Sequence, residues 1–334
     1  MSTWDELVDE FRALGGTLEN VRLGHGALGR GLFPIEPGRP FLIEIPPSLL
    51  VAATDVVFEN GVLKIAAAAT VGARERQFLE DYYAHISWGG GGRAEIERIF
   101  EQATELPVEL RQNLLEHYRL GDWFAEPSSE LIQRQFVDSR ELGGLRNGTV
   151  MMPIIELANH GPLCSYLGSE NLVLKGTTAD EITVEYVSGD TYSYFHSWGF
   201  VTESDTAFSV LLEGSVGGTP LQISRMTIRT KVGVRPVPPT LTKSPGGILK
   251  LDFLMLGNRK MPRLCRGNFR SAFRAAGYPD ADEAFDKIRM ANQQQFLDLL
   301  ADLEPLDGAM VRELRRLARL QLQALAYCYG VREF

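Results

Sequence analysis

The stretch GHGALGRGLFPIEPG, residues 24–38, decides the fold class. Its first six residues satisfy GxGxxG. A dinucleotide site on that pattern needs a strand before it and a helix opening directly after it, so that phosphate meets the helix N-terminus. Pro34, Pro37 and Gly38 break a helix at that point. The glycines suit a chain that turns between short strands and brings its backbone close to a neighbour. The flanking residues, 15–51, keep the same style of Gly, Pro and short β-branched or aromatic runs. They predict further short strands and turns.

Outward from this stretch the pattern changes. Residues 4–15 predict a short helix with Leu7, Phe11 and Leu14 on one face. From about 70 to 137 the periodicity is helical, in four segments, with Ser128 or Ser129 as N-cap of the last. The run Gly89–Gly92 between two of these helices reads as a flexible connection. Leu145 to Ile155 predicts a hairpin turning at Asn147-Gly148. Strands are expected at 171–175, 181–187, 207–213 and 221–234. A proline-rich hinge follows near 234–247, then helix to the end, with a long last helix over 309–329. The class is α+β. The expected domains are an N-terminal helix over 1–17, a β-rich domain over 18–215 carrying the helical insert, and a helical C-terminal domain over 216–334.

The chain has 334 residues, enough for two domains, with 44% hydrophobic and 23% charged residues, the balance of a soluble globular protein. No apolar run reaches the ~18 residues of a membrane span. The first residues, acidic and amphipathic, do not resemble a secretory or transit signal. Cys164, Cys265 and Cys328 are too far apart in sequence for a CxxC zinc site, and an odd count suits a reducing compartment. A cytoplasmic location without membrane partners is therefore expected. The net charge of −9 argues against a general nucleic-acid binder. Residues 225–274 hold twelve Lys or Arg and one acid, Asp252, a local charge of +11 that leaves −20 on the rest. Such a segment is either a set of solvated faces or a surface that steers an acidic partner.

Two later constellations carry chemistry. One is MMPIIELANHG, residues 151–161. The other runs through EITVEY at 181–186, Ser188-Gly189-Asp190 and Trp198-Gly199-Phe200-Val201. With GRGLF and IEIP at 29–46, their order and spacing resemble the SET-domain protein lysine methyltransferases, in the Rubisco large-subunit methyltransferase-like branch. Ser139-Arg140 with Leu145-Arg146-Asn147 fits that family's SR…LRN segment. Pro153, Glu156 and Asn159-His160 fit its P..D..NH segment, with Glu156 in place of Asp. The resemblance spans roughly residues 18–215, and the C-terminal helices over 216–334 fit in kind the helical substrate-binding domain that closes the family's chains. The four remaining histidines, His25, His85, His117 and His196, have neither triad nor metal spacing.

The resemblance implies a SET-type β fold of short strands and S-adenosylmethionine as cofactor. It implies methyl transfer to an amine, with a protein lysine as the leading substrate. Backbone groups at Leu28 and Arg30 would hold the methionine part of the cofactor, and Arg140 would lie at the cofactor. Asn159 and His160 would contact the adenine and the ammonium, with Glu156 and Phe200 completing the cofactor set. The family's YGF tyrosine, which orients the amine, is replaced by Trp198, whose indole has a donor and no acceptor. Tyr186 and Tyr194 join Trp198 as catalytic candidates because either could supply a hydroxyl. The replacement keeps two alternatives open: a non-catalytic protein that binds the cofactor or methyl-lysine, and a cofactor-using enzyme with a small-molecule substrate. Substrate identity, the number of methyl groups and the oligomeric state are open.

Overall fold

A computed structural model describes residues 3–145, 148–168, 171–186, 189–224, 238–279 and 281–329. It separates into two compact units, Met1–Arg98 with Pro127–Tyr186, and Ile99–Glu126 with Val187–Phe334.

The first unit is built on short antiparallel strands. Thr17–Glu19, Pro40–Ile45 and Leu172–Thr177 form one sheet, with Pro40–Ile45 in the middle. Leu18, Ile43 and Leu174 lie in register and are fully buried, because the period-two alternation of PFLIEI and LVLKGT sends those residues to one face. The helix Trp4–Ala13 starts with a capping box between Thr3 and Glu6 and buries Leu7, Val8 and Phe11. It ends at Ala13, two residues short of the expected end, with Leu14 as its C-cap. The stretch that decided the fold is a hairpin, Arg22–Gly26 against Gly29–Phe33, with Ala27 and Leu28 at its tip.

The four expected helical segments form, but only Ala73–His85 and Ser129–Asp138 lie wholly in this unit; Arg93–Thr104 crosses its boundary and Val108–Glu116 belongs to the second. Ser128 is the N-cap of Ser129–Asp138 and accepts from the backbone N–H of Leu131 at 3.1 Å. The expected hairpin begins and ends earlier, at Glu141–Leu145 and Gly148–Met151. Arg146 and Asn147, which complete the LRN match, lie outside the described residues.

The glycine run is not a loose connection. Trp88–Gly92 is a wide π-type turn. A Cβ on Gly89 would meet the Ala84 carbonyl oxygen at 1.9 Å, and one on Gly92 would meet the Phe136 ring at 2.8 Å. The glycines are there because backbone and aromatic ring come within contact distance.

In the second unit, Asp190 caps the helix Thr191–Trp198. Its fully buried carboxylate accepts from the Ser193 N–H (2.8 Å), the Ser193 hydroxyl (2.6 Å), the Phe208 N–H (2.8 Å) and Gln321 Nε2 (2.8 Å). Four strands, Glu213–Val216, Thr219–Ile223, Leu249–Leu251 and Leu241–Lys243, make a small sheet in that order. The helical expectation after residue 247 is corrected here. Leu249–Leu251 pairs in parallel with Thr219–Ile223, and Met255–Asn258 pairs with Thr206–Phe208. Leu249, Leu251, Leu221 and Ile223 point into one core while Lys250 and Gln222 face outward; three residues are too short a run to mark a strand, and Met255–Asn258 is buried on both faces. The described part of the expected strand 221–234 ends at Ile223, and residues 225–237 lie outside the described residues. Helices Leu264–Ala275, Ala281–Leu303 and Ala309–Tyr329 complete the unit. Three described cations of the basic segment find acids here. Lys260 pairs with Asp205 (2.7 Å), Arg266 with Asp286, and Arg270 with Asp282 (2.8 Å).

Candidate functional site

The first unit gathers four distant sequence pieces. Residues 181–184 run between two of them. On one side the Ile182 N–H donates to the Leu32 carbonyl at 2.8 Å. On the other, Thr183 and Val184 pair in parallel with Asn159 and His160. Asn159 Nδ2 donates to the Arg30 carbonyl at 3.1 Å and to Glu181 Oε1 at 2.5 Å. A Cβ on Gly31 would meet Glu181 Oε1 at 2.2 Å and Asn159 Nδ2 at 2.8 Å, so the hairpin backbone sits directly against this pair.

Arg30 and Arg140 converge on one acid. Arg30 Nε lies 3.7 Å from Glu95 Oε1, and Arg140 donates to Glu95 Oε2 at 3.1 Å. The Arg30 guanidinium also donates to the carbonyls of Ile86 and Gly90, which locks it onto the glycine turn. Arg140 lies over the Phe136 ring at 4.2 Å. Arg30 thus presents its backbone toward Asn159 while its charge is spent on Glu95 and the turn.

Glu156 sits in the segment before Asn159. Tyr82 holds it: the Tyr82 hydroxyl donates to Glu156 Oε1 at 2.9 Å and accepts from the Ile154 N–H at 2.9 Å. Ile154 has φ 68° and ψ −57°, and Ile155 N–H donates to the Pro153 carbonyl at 2.8 Å. That is a tight γ-turn in a region a β-branched residue rarely enters. Burial raises the Glu156 carboxyl above its ordinary range, opposed first by the Arg140 charge. Glu156 Oε2 is buried, and the Ser87 and Tyr82 hydroxyls beside the carboxyl also oppose the rise. Burial drives the Tyr82 and Tyr83 hydroxyls well up, so both stay protonated.

His160 is pulled down to about 4 by burial and is neutral near pH 7. Its Nδ1 accepts from the Tyr186 N–H at 3.4 Å, and the two rings stand edge to face at 5.3 Å. The Tyr186 hydroxyl donates to the Ala158 carbonyl at 3.0 Å, and burial pushes its ionisation far above the usual phenol range. Leu28 stands apart from this cluster, exposed at the hairpin tip.

Trp198, Tyr194 and Phe200 belong to the second unit. Trp198 ends the helix Thr191–Trp198, with its ring 5.7 Å from Tyr194 and 6.4 Å from Phe200. Tyr194 and Phe200 stack at 5.9 Å. The Tyr192 hydroxyl donates to the Tyr118 carbonyl at 2.8 Å. Three residues escaped the sequence: Glu95, Glu181 and Tyr82. Glu181 stood in the quoted EITVEY motif, but nothing local marked its link to Asn159. Glu95 and Tyr82 carry no signal beyond helical periodicity.

No family model matches the chain, and no curated protein does. Among solved structures, it is similar to the crystal structure of the SET domain of LSMT bound to lysine and AdoHcy, at 13% identity and TM-score 0.43. That alignment covers 98% of this chain and 90% of the other. It is likewise similar to the structure of Rubisco LSMT bound to AdoMet, at 12% identity and TM-score 0.42, covering 99% and 91%. Among the described residues no helix is long and apolar enough to cross a membrane, and no three His, Cys, Asp or Glu stand together as a metal site.

Proposed function

We propose that the chain is an S-adenosylmethionine-dependent methyltransferase acting on an amine, with a lysine of a protein substrate as acceptor. One observation supports this most. Arg30, Arg140, Glu156 and Asn159-His160, picked out by motif order alone, are joined in the first unit through Glu95, Glu181 and Tyr82.

The donor set suits this cofactor. Asn159 commits both Nδ2 bonds to protein and keeps its Oδ1 as acceptor. Glu156 Oε2 is a buried acceptor to which an ammonium would donate. Neutral His160 adds polarity without repelling a cation. The cofactor supplies a methyl group on a positively charged sulfur, displaced in line by a neutral amine. The protein's part is alignment and exclusion of water. Backbone carbonyls of the glycine hairpin would hold the methyl-bearing end by weak C–H···O contacts.

Trp198 favours a second reading. An indole cannot accept from the amine as a tyrosine hydroxyl does, whereas its π face attracts cations. Binding of cofactor or methyl-lysine without turnover, or a small-molecule acceptor, follows from it. Calorimetry with S-adenosylmethionine, its demethylated product and NAD tests the proposal, followed by labelled methyl transfer to lysine-bearing proteins. Micromolar binding of the two adenosyl ligands and none of NAD is expected. Binding of NAD, or of neither adenosyl ligand, removes the proposal.

A further inference from the structure

The last helix, Ala309–Tyr329, carries Arg312, Arg315, Arg316 and Arg319. Their spacing of three, four and seven residues puts them on one face. They line an open groove of about 500 Å³ together with Glu203, Leu320 and Gln323. Arg312, Arg316 and Arg319 are exposed, and the stretch from Arg312 to Arg319 is about 10 Å along the axis.

The four charges are not used alike. Arg315 is a structural cap: its Nη2 donates to the carbonyls of Leu303, Glu304 and Leu306 at 2.8, 3.0 and 2.9 Å, at the C-terminal end of Ala281–Leu303. Arg316 has one acid, Glu313, at 4.0 Å. The guanidinium groups of Arg312 and Arg319 have no ion pair or hydrogen bond among the described residues. In the basic segment around 260–274, Lys260, Arg266, Arg270 and Arg274 are matched by Asp205, Asp286 and Asp282. Two uncompensated charges, Arg312 and Arg319, therefore stand in this one groove.

We propose that this groove binds an acidic segment of a partner protein. The arginines offer forked donors that match carboxylates. Glutamates at i, i+3, i+4 and i+7 of a partner helix would repeat their spacing. Leu320 gives a small apolar floor, as a peptide site needs and a backbone track for phosphates does not. Glu203 places a carboxylate in the same groove, and the whole chain carries −9. Both oppose a polyphosphate strand and tolerate a peptide of mixed charge. The groove lies within the second unit and is independent of the methyl-transfer proposal.

The test is fluorescence anisotropy with a labelled Glu-rich helical peptide, a Lys-for-Glu version of it, and a single-stranded oligonucleotide. Wild-type protein should bind the acidic peptide, and the Lys version should not bind. Arg312→Glu with Arg319→Glu should weaken binding at least about tenfold, as should high salt. Arg312→Ala with Arg319→Ala is the milder pair if charge reversal impairs folding, and circular dichroism checks both. No peptide binding, equal affinity in the folded double variants, or tighter binding of the oligonucleotide through the same arginines overturns the assignment.

Discussion

Asn159 donates to the carbonyl of Arg30 at 3.1 Å, across 129 residues of chain. The same Nδ2 reaches Glu181, and Glu181 fills the space that the missing side chain of Gly31 leaves open. One amide therefore fixes the glycine hairpin, the strand at 181–184 and the Asn-His segment together. Asn159→Ala strips partners from a carbonyl and a carboxylate. It should weaken S-adenosylmethionine binding by about 1–3 kcal/mol while the protein stays folded. Calorimetry beside a thermal melt separates the two effects. Unchanged affinity in a folded variant places the cofactor elsewhere.

His160 gives a pH dependence with a definite sign. Burial holds it at about 4 in the folded chain, below the 6.5 of an unfolded one. As pH falls, the unfolded chain takes up the proton first. The stability from burying the neutral ring is complete above about 6.5 and is lost as pH drops toward 4. His160→Gln should flatten that part of the profile in urea titrations between pH 7 and 4. A variant with the wild-type acid slope shows that another group titrates there.

Gly89→Ala forces a Cβ to within 1.9 Å of a backbone oxygen, that of Ala84, which cannot swing away. The variant should lose about 1–3 kcal/mol of stability, the usual cost of overpacking. Gly267 lies inside the helix Leu264–Ala275, where an added Cβ would meet nothing within 4 Å. Gly267→Ala should instead add about 0.5–1 kcal/mol. Melting both variants together tests whether the two glycines differ as stated.

What can be read from the sequence divides along physical lines. Pro34, Pro37 and Gly38 act locally, so the hairpin over 22–33 is legible. Ser128 is likewise a local cap. Gly89–Gly92 misleads because its reason lies in the Ala84 carbonyl and the Phe136 ring, which no rule about glycine runs contains. The strand at 255–258 is hidden by burial of both faces, and that at 249–251 by its length of three residues. Motif order picks out Arg30, Arg140, Glu156, Asn159 and His160 as the candidate site, while the partners they meet, Glu95, Glu181 and Tyr82, are linked to them only through contacts across the fold. The arginine stripe at 312–319 is visible as a periodic pattern on the last helix. A charge count ending at residue 274 passes it by.

Asp190 is buried and accepts four hydrogen bonds, two of them from its own helix start and one from Gln321. Asp190→Ala removes an N-cap and leaves buried donors unpaired. The expected loss is about 2–4 kcal/mol, seen as a lower urea midpoint with an unchanged slope. Asp190→Asn keeps the cap but cannot accept from all four donors, and should fall between the two. A loss under about 1 kcal/mol in Asp190→Ala would mean that water replaces the carboxylate.

Trp198 decides between the two functional readings. The family resemblance aligns it with a tyrosine that orients the amine, and its ring packs with Tyr194 and Phe200. Of the two other candidates, Tyr186 donates its hydroxyl to the Ala158 carbonyl, and Tyr194 stacks on Phe200. Trp198→Tyr restores an oxygen able to accept from the amine. It should raise methyl transfer to a lysine acceptor, by about tenfold or more if the hydroxyl acts as such groups usually do. If the indole instead stacks on a cation, the same change leaves turnover low and weakens ligand binding by about 0.5–2 kcal/mol. The two outcomes differ in sign, one in rate and the other in affinity. Wild-type rate together with wild-type affinity would show that Trp198 does not face the ligand, and the alignment with the family's tyrosine would fall.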